Sequence, residues 1–491
     1  MSLKNKYDNT DPISIFEYSK KLIGRTFEDV LLDYFEEENK VYKEIREQFN
    51  NPYRKGSLGN LIEEYFFGYK PNSSPEPDFP EADVELKVTP YEKTKTGLIR
   101  AGERLVLGMI PNNEPIPSQF EESSAYKMLE VMLLILYYRD RELERVQYPI
   151  HYSQLVSLNS KILEKDFEII KSDYKIISEK IKAGRAHELS EADTMYLGAA
   201  TKGASAKKSL QAQYYNPDIK AKRRAFSLKQ GYMSAFINEY IINDVKTYDN
   251  IVTEPVSLKT FEKIVINRLK SYEGYSEKQL RKEFGLVDSN SKSILSQLAL
   301  KILNIDTETA DEFMKSNTQV KTIRIEENGS IKENMSFPTI SFQELVDEDW
   351  EESYLYNYFT ETRFLYVIYQ KRNGEYYLED AMFWHMPLED LEGPGFKDWS
   401  TAQSIIKEGV KFRVSGSRIF NTLPNPSKTE IFHLRPHTSK AAYKIPSLGI
   451  EKGDIHKDGD TLPNGDVMTK QSFWLNNHYV KKQIEKHQKR S

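Results

Sequence analysis

The chain of 491 residues contains no cysteine. Disulfides and thiolate metal sites are therefore excluded, and an intracellular setting fits. Long apolar runs are missing as well. The longest, Met132 to Tyr138, falls far short of the roughly 20 residues that cross a bilayer, so no membrane partner is expected. The start, Met1-Ser2-Leu3-Lys4, lacks the apolar core of a signal peptide, and a cytoplasmic location is expected. Excess positive charge is also absent. A formal net charge of −5 excludes a uniformly basic DNA-coating protein, while leaving room for a local basic cleft.

What is present describes a folded protein. Charged residues make up 29% and aromatics 12%, which is globular rather than disordered composition. The length predicts about two or three domains.

One stretch carries recognisable chemistry: Pro77-Asp78-Phe79-Pro80-Glu81-Ala82-Asp83-Val84-Glu85-Leu86-Lys87. It has the form P-D, a gap, then E-x-K. Val84 to Val88 alternates apolar and charged, as a half-buried strand does. Residues two apart on a strand share a face, so Glu85 and Lys87 project together while Val84, Leu86 and Val88 face the core. A tight turn brings Asp78 back beside Glu85. Two carboxylates and a lysine suit phosphodiester hydrolysis. The carboxylates hold a hard cation such as Mg²⁺, and the lysine orients water and stabilises phosphate charge. E-x-K alone is most often an ordinary strand face; the preceding Pro77-Asp78 is what gives it weight.

Upstream, Lys55-Gly56-Ser57-Leu58-Gly59-Asn60 opens a helix with Leu61, Ile62, Tyr65 and Phe66 at helical spacing, ending near Gly68. Of Glu63 and Glu64, one faces solvent and the other can reach the site; spacing does not say which. Thr26 is a helix cap. Thr201 to Lys229 is the most basic region, with Lys202, Lys207, Lys208, Lys220, Lys222, Arg223, Arg224 and Lys229 against only Asp218. Lysine, arginine, hydroxyl and backbone N–H groups in that mixture suit phosphates, against the plainer reading of a solvated surface.

With these segments in place the chain resembles the MutH family, and most closely its Sau-type GATC-specific type II restriction endonucleases. The resemblance is carried by Lys55-Gly56-Ser57-Leu58-Gly59 with Glu64, Pro77-Asp78, Val84-Glu85-Leu86-Lys87, Glu103-Arg104-Leu105-Val106-Leu107, Ala186 to Glu191, Thr201-Lys202-Gly203-Ala204 and Arg224 to Lys229. It continues through Arg435-Pro436-His437-Thr438 and Met468 to Trp474. It implies Asp78 and Glu85 as metal carboxylates, Lys87 as the catalytic lysine, Glu64 as the assisting helix glutamate, and Lys127 as a second active-site lysine. It implies Mg²⁺, with Mn²⁺ as a substitute. Lys55, Gly56, Lys202, Gly203, Lys207, Arg224, Ser227 and Lys229 are implied as DNA contacts. Ser227 departs from the family's repair proteins, which carry a tyrosine there that is implicated in sensing adenine methylation. The departure weighs against a repair-type nickase.

The second half echoes the first. Phe261 to Gly285 parallels Phe16 to Tyr34, Gln319-Val320-Lys321 parallels Glu85-Leu86-Lys87, Leu300 stands for Glu64, and Trp474 for Ser227. Leucine binds no metal and glutamine is a poor Mg²⁺ ligand. Arg435, Pro436, His437, Lys470 and Trp474 keep a DNA-binding character. The expectation is two tandem α/β domains of the PD-(D/E)xK, MutH-like type, each a mixed sheet flanked by helices. Residues 1–250 form a catalytic domain and 251–491 a degenerate DNA-binding effector. The resemblance implies Mg²⁺-dependent cleavage of double-stranded DNA 5′ of the guanine in GATC. It implies a monomer that dimerises on DNA, and a cognate methyltransferase acting on the same site. The alternatives are a GATC nickase and a non-catalytic GATC-binding regulator.

Overall fold

A computed structural model of the chain describes residues 6–51, 56–71, 76–94, 97–140, 142–202, 209–242, 248–287, 289, 291–331 and 334–489. Among them no helix is long and apolar enough to cross a membrane. By contacts the chain divides into two compact units. The first is Met1–Phe261 with Ile305–Thr318, the second Glu262–Asn304 with Gln319–Ser491. Both combine helices with sheets, an α/β architecture.

The first unit holds β1 (Glu85–Lys93), β2 (Ile99–Ala101), β3 (Leu105–Met109), β4 (Val131–Tyr138), β5 (Ile150–Ser157), β6 (Leu197–Thr201), β7 (Leu210–Ala212), β8 (Lys220–Lys222) and β9 (Arg224–Leu228). One sheet runs β2-β1-β4-β5. β1 and β4 are parallel, with Glu85 opposite Met132, and the outer pairs are antiparallel. The apolar run of β4 is buried from Met132 to Tyr137, as a strand covered on both faces requires. The N-terminal helices close one side. Thr26 caps Phe27–Leu32 in a reciprocal box with Asp29, and Ile15, Leu22, Phe27 and Val30 share one core with Val84, Leu86, Leu133 and Ile135. A second, antiparallel sheet runs β3-β9-β6.

A returning segment completes this unit. Asp249 bridges Ala310, and the Glu312 carboxylate accepts from the backbone N–H groups of Ile251 at 2.9 Å and Val252 at 2.9 Å. The buried Lys315 pairs with Asp311 at 3.0 Å and Glu239 at 3.2 Å. Helix Gln230–Phe236 approaches so closely that a Cβ on Gly231 would sit 2.3 Å from the Met314 carbonyl oxygen.

The second unit, by itself, holds β10 (Thr318–Ile325), β11 (Met335–Thr339), β12 (Arg363–Arg372), β13 (Glu375–Trp384), β14 (Phe412–Ser415), β15 (Arg418–Asn421), β16 (Phe432–Pro436), β17 (Tyr443–Ile445), β18 (Ile450–Lys452), β19 (Gly459–Thr461), β20 (Val467–Thr469) and β21 (Gln471–Leu475). Its sheets run β10-β12-β13, β11-β21-β16, β18-β17-β20-β19, and β14-β15 as a free pair.

Local details of the first unit recur here. In helix Glu164–Lys182 the Asp173 carboxylate accepts from Met195, Tyr196 and Leu197 N–H at 2.8, 2.6 and 3.0 Å. In helix Phe396–Glu408 Asp398 accepts from Glu430, Ile431 and Phe432 at 3.1, 2.6 and 3.0 Å. Each clamp fixes the entry of a strand, β6 in one case and β16 in the other. Leu228 and Leu475 then occupy matching registers, opposite Leu197 and Phe432. Ser123 caps toward Tyr126, and Ser353 toward Tyr356.

Each clamp is a buried anion whose removal strands several N–H donors. Asp173→Ala should lower the first unit's stability by on the order of 3 kcal/mol, and Asp398→Ala should do the same to the second, read as separate shifts in a urea transition. Gly231→Ala should push the Ile305–Thr318 segment from its seat, seen as faster proteolytic cleavage within it.

Candidate active site

The turn ahead of β1 builds the site. Phe79 N–H donates to Val84 O at 2.9 Å and Val84 N–H returns to Phe79 O at 3.2 Å. Asp83 closes the turn in the left-handed region, with φ 52°. The Phe79 ring anchors it, lying 5.1 Å from Phe67 and 5.3 Å from Tyr69. Asp78 is thereby folded back onto the strand, where its carboxylate accepts from Leu86 N–H at 2.9 Å. Glu85 lies on the same strand and pairs with the Lys87 ammonium. Val84 and Leu86 point into the core.

A third acid joins them, and it is Glu63. Burial first, then the charges of Asp78 and Glu85, push its carboxyl up to about 7, while Lys87 opposes this. Spacing leaves Glu63 and Glu64 open and the family resemblance implies Glu64; in the structure Glu64 is exposed, and Glu63 is the one beside Asp78 and Glu85. The physical reason is a π-turn. Ile62–Phe67 is wound as a π-helix, so Gly68 and Tyr69 both donate to the Glu63 carbonyl, at 2.9 and 3.1 Å. The apolar side chains Ile62, Phe66 and Phe67 enter the core and Glu63 is left beside the strand. Tyr69, also unforeseen, has a buried hydroxyl without a hydrogen-bond partner. Burial, then Asp78 and Glu63, raise its pKa far above the usual range. Glu63 is one of the two helix glutamates that spacing left open, and nothing in the sequence singles out Tyr69.

Burial also raises Asp78 and Glu85. For Asp78 the Leu86 N–H and Lys87 pull back; for Glu85 Lys87 does so, while Asp78 adds to the rise. Three acids thus share a half-buried space with one ammonium, an excess of negative charge that a divalent cation would relieve. No three acidic or imidazole groups among the described residues form a preassembled metal cage. Lys127 is exposed on helix Ser124–Glu130, just before β4, and forms no ion pair within the described cluster.

The expected DNA contacts divide three ways. Lys55, Gly203 and Lys207 lie outside the described residues. Gly56, exposed at a helix start, and Lys202, half-buried at the end of β6, border those segments. Arg224, Ser227 and Lys229 lie at buried positions, 3, 0 and 2% exposed. β9 is the middle strand of its sheet, and all five of its residues are covered. Arg224 donates to Ala199 O at 2.7 Å and Thr201 Oγ1 at 3.3 Å, and the Lys229 ammonium donates to Thr194 O. Their charges hold backbone rather than face solvent. In the second unit Arg435, Pro436 and His437 are exposed. The Arg435 guanidinium lies 5.0 Å over the Trp474 ring and His437 lies 6.0 Å from it. The Lys470 backbone carbonyl accepts from His437 N–H at 3.1 Å. Trp474 stands opposite His433 on β21, where Ser227 stands opposite Gly198 on β9.

Comparison with known proteins agrees with this chemistry. The profile of a family described as the DNA mismatch repair enzyme MutH matches residues 67–173 and 302–393. A type II restriction enzyme of Staphylococcus aureus, Sau3AI, is 37% identical over 459 residues, covering 88% of this chain and 92% of that protein.

Glu63→Gln should reduce nuclease turnover at least tenfold, while Glu64→Gln leaves it within about twofold, on the general scale of removing one active-site charge. The raised carboxyls also set a sign for stability. Protonation at the site favours the metal-free fold, so that stability is present below the ordinary carboxylate range and lost as pH rises through about 7. In EDTA the urea midpoint should fall across that range, and Glu63→Gln should flatten the fall.

Proposed function

The chain belongs to the MutH family and is a type II site-specific deoxyribonuclease, and from that premise we propose that it is a Mg²⁺-dependent restriction enzyme cutting double-stranded DNA 5′ of the guanine in GATC. The observation that carries the proposal is the Asp78–Glu85–Lys87 constellation on one turn and strand, with Glu63 beside it. Asp78 and Glu85 would hold Mg²⁺, which supplies a polarised phosphoryl oxygen and an acidified water when bound. Lys87, fixed against Glu85, orients the attacking water and stabilises charge on the phosphate. Water adds in line at phosphorus, the bond to the sugar 3′-oxygen breaks, and a 5′-phosphate results. Glu63 is the helix glutamate that assists the carboxylate pair. The sequence specificity rests on the resemblance of the whole chain to the GATC-cutting enzymes.

The reading extends to the second half, residues 251–491, as a degenerate copy that binds DNA without cutting it. Its internal repeat of clamps, caps and registers supports a common origin with residues 1–250. Gln319 follows the left-handed Asn317 (φ 54°) by two residues, as Glu85 follows Asp83, but its side chain accepts from the Tyr358 hydroxyl at 2.8 Å. In the same alignment Glu312 matches Asp78, and its carboxylate is taken up by Ile251 and Val252. Ala299 and Leu300 offer no ligand. One chain has one such site and a palindrome has two strands, so two chains meeting on GATC, monomeric when free, suit a double-strand cut. A methyltransferase of the same specificity would protect host DNA.

Unmethylated plasmid with several GATC sites should yield linear fragments with 5′-GATC overhangs in Mg²⁺ or Mn²⁺, and none in EDTA. Nicked circles alone would point to a repair-type nickase, and binding without cleavage to a regulator. Glu85→Ala should lose cutting and keep DNA binding in a mobility-shift assay.

A further inference from the structure

The second unit carries a hairpin with no counterpart in the first. Where the first unit passes from helix Glu164–Lys182 to β6 through short turns, the second inserts β14 and β15. These strands pair with each other and with no third strand among the described residues. Arg413 faces Phe420 and Ser415 faces Arg418 across the ladder, and Gly416, at φ 60°, supplies the left-handed residue of the tight turn.

The two faces of this ribbon differ sharply. Phe412 and Ile419 turn inward and pack on the unit's core, with the Phe412 ring 6.2 Å from Tyr443. The other face shows Lys411, Arg413, Ser415, Arg418 and Phe420, all exposed. The Arg413 guanidinium lies 4.8 Å over the Phe420 ring. No acid occurs from Gly409 to Thr429, and none of the three cations pairs with a carboxylate among the described residues. Like charges gathered on a narrow, solvated ribbon repel one another and do nothing for folding. They call for an anionic partner.

We propose that this ribbon is a groove-binding element that enters the major groove of duplex DNA. The major groove is about 12 Å wide and admits a two-stranded β-ribbon, and strands of this length extend roughly 13 Å. Lys411 and Arg413, nearer the root, contact phosphates. Arg418, beside the turn at the tip, reaches the guanine edge, to which an arginine fork is matched. Phe420 holds the Arg413 guanidinium in place. The inference rests on the reading of the second unit as a DNA binder and names the element that does it.

The test uses the full chain carrying Glu85→Ala and a duplex with two GATC sites. Binding is followed by fluorescence anisotropy across salt, and guanine N7 accessibility by dimethyl sulfate footprinting. Lys411→Ala with Arg413→Ala should lower the slope of log affinity against log salt by about 1.8, or about 0.9 per lost phosphate contact. Arg418→Ala should abolish one guanine protection. An unchanged slope and footprint, alongside weakened binding by Arg435→Ala or Trp474→Ala, would overturn the ribbon and keep the DNA-binding reading of this unit. If neither set of variants changes binding, that reading falls and the ribbon with it.

Discussion

A carboxylate removed from water must be met by donors or by positive charge, and this constraint sorts the buried acids of the chain. Asp173, Asp398 and Glu312 each receive successive backbone N–H groups. They are saturated and immobile, and they fix where strands begin and where the returning segment sits. Asp78 receives one N–H and shares its space with Glu85 and Glu63 around a single ammonium. That group is undersupplied with donors, and its carboxyls are raised by burial and by one another. The same chemistry thus makes structure where donors suffice and reactivity where they do not.

Much of this was legible in the sequence. The alternation of Val84 to Val88 set which side chains face the core, and the structure seats Val84 and Leu86 there with Glu85 and Lys87 beside each other. The buried strand, the Thr26 cap and the helix closing near Gly68 were equally readable. The choice between Glu63 and Glu64 was not. A helical period assumes a uniform winding, and the π-turn at Ile62–Phe67 rotates the face by the fraction of a turn that separates neighbours. Charge counting did not reveal that Arg224 and Lys229 are buried. It assumes that cations face water, but β9 is covered along its length, Lys229 just beyond it is buried too, and both side chains donate to backbone carbonyls.

The two units share local devices but not the acidic cluster. The clamps, caps and registers recur because each is tied to folding. At the places that match Glu85 and Asp78 in sequence, Gln319 accepts from a tyrosine hydroxyl and Glu312 accepts from backbone N–H groups. The second unit also presents the Arg435–Trp474 stack and a ribbon with one cationic face.

The returning segment has a consequence for how separable the halves are. Because Ile305–Thr318 packs with residues that precede Phe261, the chain passes between the two units three times. No single scission releases the first unit whole, because a cut after Phe261 leaves Ile305–Thr318 on the other piece. The first unit is therefore complete only when the chain runs on through Glu262–Asn304 and returns, so its folding waits on the Ile305–Thr318 segment.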